Sequence, residues 1–64
     1  MRVNGVEIVL NEKCALKDFL LKEGYDIMRV AVERNGEIVM KSGFDTVKLS
    51  DDDILEIVAF IGGG

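Results

Sequence analysis

The stretch that decides the fold is residues 54–64, which read Ile54-Leu55-Glu56-Ile57-Val58-Ala59-Phe60-Ile61-Gly62-Gly63-Gly64. Its apolar part, 54–61, can form a β-strand, in which successive side chains point to opposite faces. An unpaired carboxylate is costly in a small core, so the face that carries Glu56 should point to solvent. We therefore predict a strand over 54–61 whose Leu55 and Ile57 side chains are buried against a helix.

The open face of this strand carries Val58 and Phe60, close to the glycines. Exposed apolar side chains beside a chain end are typical of a docking surface. We identify Val58, Phe60 and Ile61 as candidate partner-docking residues. The alternative is that a loop covers Val58 and Phe60, which would then form a minor core.

Gly62, Gly63 and Gly64 follow the strand directly. Glycine lacks a Cβ atom and adopts nearly any backbone conformation, and three residues reach roughly 10 Å when fully extended. We expect 62–64 to be a flexible tail that can enter a narrow channel, with the free carboxylate of Gly64 at its tip. The alternative is a glycine-rich end without a function.

The composition indicates one small packed domain over 1–64. A chain of 64 residues with 48% hydrophobic residues is near the lower limit for a core without disulfides or a metal. The longest apolar run, 57–61, is too short to span a membrane, and no signal peptide is apparent, so we expect a cytoplasmic protein. The net charge of −4 argues against nucleic acid and membrane surfaces as partners and favours a protein with a basic groove.

Residues for independent catalysis are lacking. The sequence contains no histidine and a single cysteine, Cys14, so it offers no disulfide, no Cys/His metal site and no Ser/His or Cys/His nucleophile pair. Cys14 should stand at a helix N-cap, and we favour a packing role for it over that of an acidified thiol. Asp51-Asp52-Asp53 lacks the spacing of a calcium loop, which favours a solvated turn. We therefore expect neither an enzyme nor a bound cofactor or metal.

The rest of the chain predicts an α+β fold. Asn4-Gly5 and Asn35-Gly36 lie between short apolar runs, which indicates two hairpins with type I′ turns. Leu16, Phe19 and Leu20 have helical spacing, and Gly24 follows at a helix C-terminus. The remaining predicted features are strands over 1–3, 6–10, 28–33 and 37–40, a loop over 41–45 with Phe44 in the core, a short strand over 47–49 and a turn over 50–53. The helix should cover one face of a mixed sheet of four to five strands in which the last strand is central.

These residues resemble the ThiS family of thiamine-biosynthesis sulfur carriers, which have a ubiquitin-like β-grasp fold. The resemblance covers essentially the whole chain and is most specific in residues 30–39, which read Val-Ala-Val-Glu-Arg-Asn-Gly-Glu-Ile-Val, in Phe44 and in residues 53–64. The chain departs from the family pattern at Asp52, where a glycine is usual, which brings the geometry of that turn into question.

The resemblance implies that Gly64 is the reacting group. In this family an E1-like adenylyltransferase uses ATP and magnesium to adenylate the terminal carboxylate, and sulfur from a cysteine desulfurase converts it into a thiocarboxylate. Thiazole synthase then takes the sulfur to build the thiazole ring, while Gly62 and Gly63 carry the chain end into both active sites. The protein would be a recycled co-substrate with no catalytic residues of its own.

Three other readings remain open at this point. The sulfur could go to another acceptor, as in the small subunit of molybdopterin synthase, or the chain could be a ubiquitin-like modifier attached to lysines. A purely structural domain with an idle tail is the third.

Overall fold

A computed structural model describes residues 1–60 of the chain. The five strands are β1 (Arg2–Val3), β2 (Val6–Glu7), β3 (Val30–Arg34), β4 (Glu37–Val39) and β5 (Ile54–Ala59), and the α-helix α1 is Leu16–Lys22. A short 3₁₀ helix occupies Lys41–Gly43. Within residues 1–60, no helix has the length and apolar character needed to cross a membrane.

The strands form one mixed sheet in the order β2-β1-β5-β3-β4. β5 runs parallel to β1 and antiparallel to β3, while each hairpin is antiparallel within itself. The prediction that two hairpins flank a central last strand is confirmed. Five strands also place the sheet at the upper end of the predicted four to five.

Both predicted type I′ turns are present. Asn4 and Gly5 have φ values of 51° and 82°, and Asn35 and Gly36 have φ values of 52° and 86°. Positive φ at both central residues matches the right-handed twist of the two paired strands, and asparagine and glycine tolerate it best. Asn4 and Asn35 are the only non-glycine residues with positive φ among those described. The turn at Asp52 therefore forms without the backbone conformation that favours glycine.

The helix ends as the sequence predicts. Gly24 has a φ of 86°, its N–H donates to the Leu21 carbonyl at 3.1 Å, and the Tyr25 N–H donates to the Leu20 carbonyl at 2.9 Å. This pair of bonds is a Schellman motif, which satisfies carbonyls that the last turn leaves free. The helix packs on one side of the sheet, and the core lies between them: Met1, Val3, Leu16, Phe19, Leu20, Val30, Val32, Phe44, Leu49, Leu55 and Ile57.

The start of the helix corrects the expectation for Cys14. The N-cap is Ala15, which has an extended backbone and no capping side chain. The N–H groups of Leu16 and Lys17 instead donate to the carbonyls of Val47 and Phe44, at 2.8 and 2.7 Å. Because the loop that carries Phe44 supplies these acceptors, the helix needs no polar residue at its N-cap. Phe44 itself is buried in the core, as predicted.

Every predicted strand is longer than the element in the structure: 1–3 is reduced to Arg2–Val3, 28–33 becomes Val30–Arg34 and 37–40 is reduced to Glu37–Val39. β2 ends at Glu7 instead of Leu10, because β1 offers only two residues to pair with. The predicted strand over 47–49 is reduced to a single bridge between Ala15 and Lys48. β5 ends at Ala59, although the Phe60 N–H still donates to the Arg29 carbonyl at 2.7 Å.

Asp53 contradicts the prediction of a fully solvated acidic turn, because it is buried. Its carboxylate accepts hydrogen bonds from Arg34 Nε at 3.0 Å, Asn35 Nδ2 at 3.0 Å and the Ser50 N–H at 2.9 Å. Burial raises the pKa of Asp53, but these three donors outweigh it and hold the pKa below its ordinary value of 3.8. The carboxylate therefore ties the β3–β4 turn to the segment that precedes β5.

We expect Asp53→Ala to lower the free energy of unfolding by about 2–3 kcal/mol near neutral pH, because it leaves Arg34 and Asn35 without their acceptor. The folded pKa is depressed, so this contribution is complete above pH 3.8 and is lost as the pH falls through the lower folded value. Denaturant unfolding of the wild type and of Asp53→Ala between about pH 7 and pH 2 should show that the difference in their free energy of unfolding becomes smaller as the pH falls. The exposed neighbour gives the control, Asp52→Ala, which should change stability by less than about 0.5 kcal/mol. Equal losses of stability in Asp53→Ala and Asp52→Ala would contradict the stabilising role of the buried Asp53 carboxylate.

Candidate partner-docking site

The two faces of β5 differ as the sequence predicts. Leu55 and Ile57 are buried under the helix, whereas Val58 is 59% exposed and Phe60 is 57% exposed. No loop within residues 1–60 covers them, so the alternative of a minor core is wrong. Their role in docking stays a prediction. Ile61, Gly62, Gly63 and Gly64, the other candidate site residues, lie outside the described residues.

The apolar surface extends beyond β5. Glu33 of β3 pairs with Ile38 of β4 on one side and with Glu56 of β5 on the other, so these three side chains share a face. Ile38 is 67% exposed. We call the sheet side that points away from α1 the outer sheet face. Its large exposed apolar residues are Ile38, Met40, Ile54, Val58 and Phe60.

Two asparagine side chains hold β5 in register. On one side, Asn4 Oδ1 accepts the Ile57 N–H at 2.7 Å, and Asn4 Nδ2 donates to the Ile57 carbonyl at 3.1 Å. On the other side, Asn35 Oδ1 accepts the Ile54 N–H at 2.9 Å. At these positions the neighbouring hairpin has turned and offers no backbone partner to these groups of β5. The asparagine carboxamide supplies the missing hydrogen bonds to the β5 backbone. The strand that leads to 61–64 is thereby anchored on both sides.

The arginines of the chain are engaged within it. Arg34 pairs with Asp53 at 3.0 Å, Arg2 lies 3.4 Å from Glu7, and Arg29 lies 3.6 Å from Asp26. The carboxylate of Asp51 accepts the Leu10 N–H at 2.8 Å and lies 3.0 Å from the amino group of Met1. The Leu10 hydrogen bond and then the amino group lower the pKa of Asp51.

Cys14 lines a groove of about 390 Å³ between α1 and residues 8–12, beside Phe19 and Asp18. It is a free cysteine of intermediate exposure. Nowhere in residues 1–60 do three His, Cys, Asp or Glu side chains come together as a metal site would require. The groove does not include the exposed residues of β5.

A mixed sheet with two hairpins around a central last strand, one helix on one face and the other face open defines the ubiquitin-like β-grasp class. The fold agrees with a crystal structure of the thiamine biosynthesis protein ThiS from Geobacter metallireducens. The TM-score is 0.80 at 30% identity, over 98% of this chain and 96% of that one.

The family model of the ThiS family matches residues 1–64. The chain is 35% identical to the sulfur carrier protein ThiS of Bacillus subtilis (strain 168), over 100% of this chain and 98% of that protein. The chain therefore belongs to the ThiS family.

A thiazole synthase of Paramagnetospirillum magneticum is 48% identical over 62 residues, which are 97% of this chain but only 19% of that protein. One from Magnetococcus marinus is 43% identical over the whole chain and 20% of its own length. The chain thus spans about a fifth of the length of these two relatives.

Sequence reasoning missed Ile38, Met40 and Glu33 as parts of the outer sheet face, and it missed the bonds of Asn4 and Asn35 to β5. The alternation of residues 37–40 could have placed Ile38 and Met40 on one face of β4. Nothing local indicates that Glu33 stands opposite Glu56, because that pairing depends on the register between β3 and β5.

We expect the face assignment to appear as a large difference between two truncations in β5. Leu55→Ala removes a fully buried side chain and should lower the free energy of unfolding by about 2–5 kcal/mol. Val58→Ala, on the opposite face, should cost less than about 1 kcal/mol, the scale of strand propensity. Denaturant titration of both variants measures the difference. A larger loss for Val58→Ala would mean that the strand faces are inverted.

Proposed function

We propose that this chain is a sulfur carrier protein of thiamine biosynthesis. The observation that carries the proposal is the match to the ThiS family over 1–64, which includes the three glycines after β5. The near full-length relationship to a protein named as a sulfur carrier points the same way. The chain acts as a co-substrate, and its partners supply the catalytic groups.

The reacting group is the α-carboxylate of Gly64. A carboxylate is ionised at neutral pH and is a poor electrophile, because its pKa is about 3.5. An E1-like adenylyltransferase with ATP and magnesium joins it to the nucleotide α-phosphate and releases pyrophosphate. The product is an acyl-adenylate whose carbonyl carbon accepts a nucleophile, with AMP as the leaving group.

Sulfur then replaces AMP at Gly64. A cysteine desulfurase provides it as a persulfide, which attacks the carbonyl carbon and displaces AMP to give an acyl disulfide. A second thiol of the partner proteins then reduces the S–S bond, forming a disulfide and releasing the thiocarboxylate, which is a better nucleophile than the carboxylate. Thiazole synthase takes the sulfur in exchange for an oxygen atom, which regenerates the carboxylate for another round. Two relatives named thiazole synthase contain a segment similar to 97% or more of this chain, which supports an association of this chain with a thiazole synthase.

The described residues suit this role because they hold a fixed starting point for the chain end. Phe60 is bonded to the Arg29 carbonyl, and β5 is anchored on both sides by Asn4 and Asn35. Gly62 and Gly63, with no Cβ atoms, allow Gly64 to enter a narrow active site. Val58, Phe60 and Ile61 contact the adenylyltransferase beside the point where the tail enters it.

The first test is the chemical state of Gly64. We expect incubation with the cognate adenylyltransferase, ATP, magnesium and a sulfur donor to exchange one oxygen for one sulfur on the chain. Mass spectrometry of the intact protein and of its C-terminal peptide locates the exchange. A sulfur found on Cys14 as a persulfide, and absent from the C-terminal peptide, would disprove the mechanism.

A variant extended by one non-cleavable residue after Gly64 is the matched control for this test. The extension displaces the carboxylate from the nucleotide, and a misplacement of about 1 Å can cost on the order of 100-fold in rate. Pyrophosphate release should be lost while circular dichroism and melting stay native. Gly63→Ala should also slow transfer, because a Cβ atom enters the channel.

We expect Phe60→Ala to weaken binding to the adenylyltransferase by about 1–3 kcal/mol, the range of an interface anchor. Its melting should stay close to that of the wild type, because Phe60 is 57% exposed. Val9→Ala is the control, since Val9 is 77% exposed but lies in the segment after β2. Titration calorimetry and thermal unfolding measure the two effects. A loss of about 3–5 kcal/mol in stability would place Phe60 in the core instead.

A further inference from the structure

Two carboxylates stand directly opposite each other at the centre of the outer sheet face. Glu33 of β3 and Glu56 of β5 are register partners in the antiparallel pair. Directly opposite side chains in such a pair have Cβ atoms about 4.5–5.5 Å apart, and like charges in this position destabilise a sheet. The free protein therefore holds an unfavourable pair at a place where a neutral residue would be better for stability.

No cation within residues 1–60 forms an ion pair with either carboxylate. Arg34, the chain neighbour of Glu33, turns to Asp53. The Arg29 carbonyl accepts a hydrogen bond from the Phe60 N–H, and the Arg29 guanidinium forms an ion pair with Asp26. Lys41 donates to the Val30 carbonyl at 3.0 Å. Arg2, whose register partner on β5 is Ile54, lies 3.4 Å from Glu7. Each of these cations thus contacts another group.

Apolar side chains surround the acidic pair. Ile38 lies beside Glu33 across the β3–β4 pairing, and Ile54 and Val58 precede and follow Glu56 along the same face of β5. All three are more than half exposed. A partner that covers them removes water from the two carboxylates, and two unpaired carboxylates without water are very costly. A protein that brings a positive charge to this surface therefore buries it at a lower cost than one that does not.

We propose that the outer sheet face docks an apolar surface of the adenylyltransferase that presents one arginine between Glu33 and Glu56. Arginine fits because its planar guanidinium donates several hydrogen bonds at once and can bond to two carboxylates. The partner's cation removes the repulsion that the free chain carries, so the acidic pair favours the complex over the free state. This inference rests on the proposed function, since it concerns the partner of the same site.

The test combines affinity and stability for Glu33→Gln, Glu56→Gln and the double variant. Titration calorimetry with the purified cognate adenylyltransferase at low and high NaCl should show each single variant binding about tenfold more weakly at low salt, with a smaller salt dependence than the wild type. The double variant should lose less than the product of the two single losses, because both carboxylates contact one cation. Glu12→Gln, with the same change in charge at an exposed position outside the sheet, is the control.

Stability separates this role from a structural one. Thermal unfolding of Glu33→Gln and Glu56→Gln should occur at the same temperature as in the wild type or at a higher one, since each change removes repulsion. Weaker binding together with unchanged or higher melting supports the proposal. Binding equal to that of Glu12→Gln, or a lower melting temperature in both variants, would overturn it.

The same experiments distinguish a failure of the acidic-pair proposal from a failure of the proposed carrier function. If the wild type is adenylated and Phe60→Ala binds weakly while the glutamine variants bind normally, the acidic pair has no role in docking and the carrier function stands. If the adenylyltransferase does not bind the wild type, the proposed function and this inference both fall.

Discussion

The structure depends on the pairing of β5 along both of its edges. Each hairpin beside β5 ends its backbone pairing with β5 at its turn. There an asparagine side chain forms hydrogen bonds with the β5 backbone instead, Asn4 with Ile57 and Asn35 with Ile54. The same two residues adopt the positive φ that their turns require. One residue type thus provides the turn conformation and the bond to the central strand, so the hairpins and β5 are fixed together.

This arrangement explains why so small a protein leaves large apolar side chains in water. A single short helix covers only one face of a five-stranded sheet. The core forms on that face, and nothing within residues 1–60 is available to cover the other. An open sheet face is therefore a consequence of the architecture, and it is the surface that the proposed carrier function would use for recognition.

Much of the fold was readable from local patterns. The Asn-Gly pairs identified both hairpins, the glycine after the helical run identified its end, and alternation around Glu56 identified the two faces of β5. The start of the helix was not readable in this way. Its N–H groups bond to the carbonyls of Phe44 and Val47, which are distant in the sequence, so a rule that seeks a nearby capping side chain placed the cap on Cys14.

The amino-acid order thus decided which side chains alternate and where the chain turns, because these features depend on neighbours within a few residues. It also decided the family, through the match over residues 1–64. The pairing between distant strands decided which residues meet across the sheet and around Asp53. Asp53 is buried because the β3–β4 turn brings Arg34 and Asn35 to it, and Glu33 faces Glu56 because β3 and β5 pair across a long intervening segment. Contacts between residues so far apart arise only when the whole sheet assembles, and for that reason they belong to the tertiary structure.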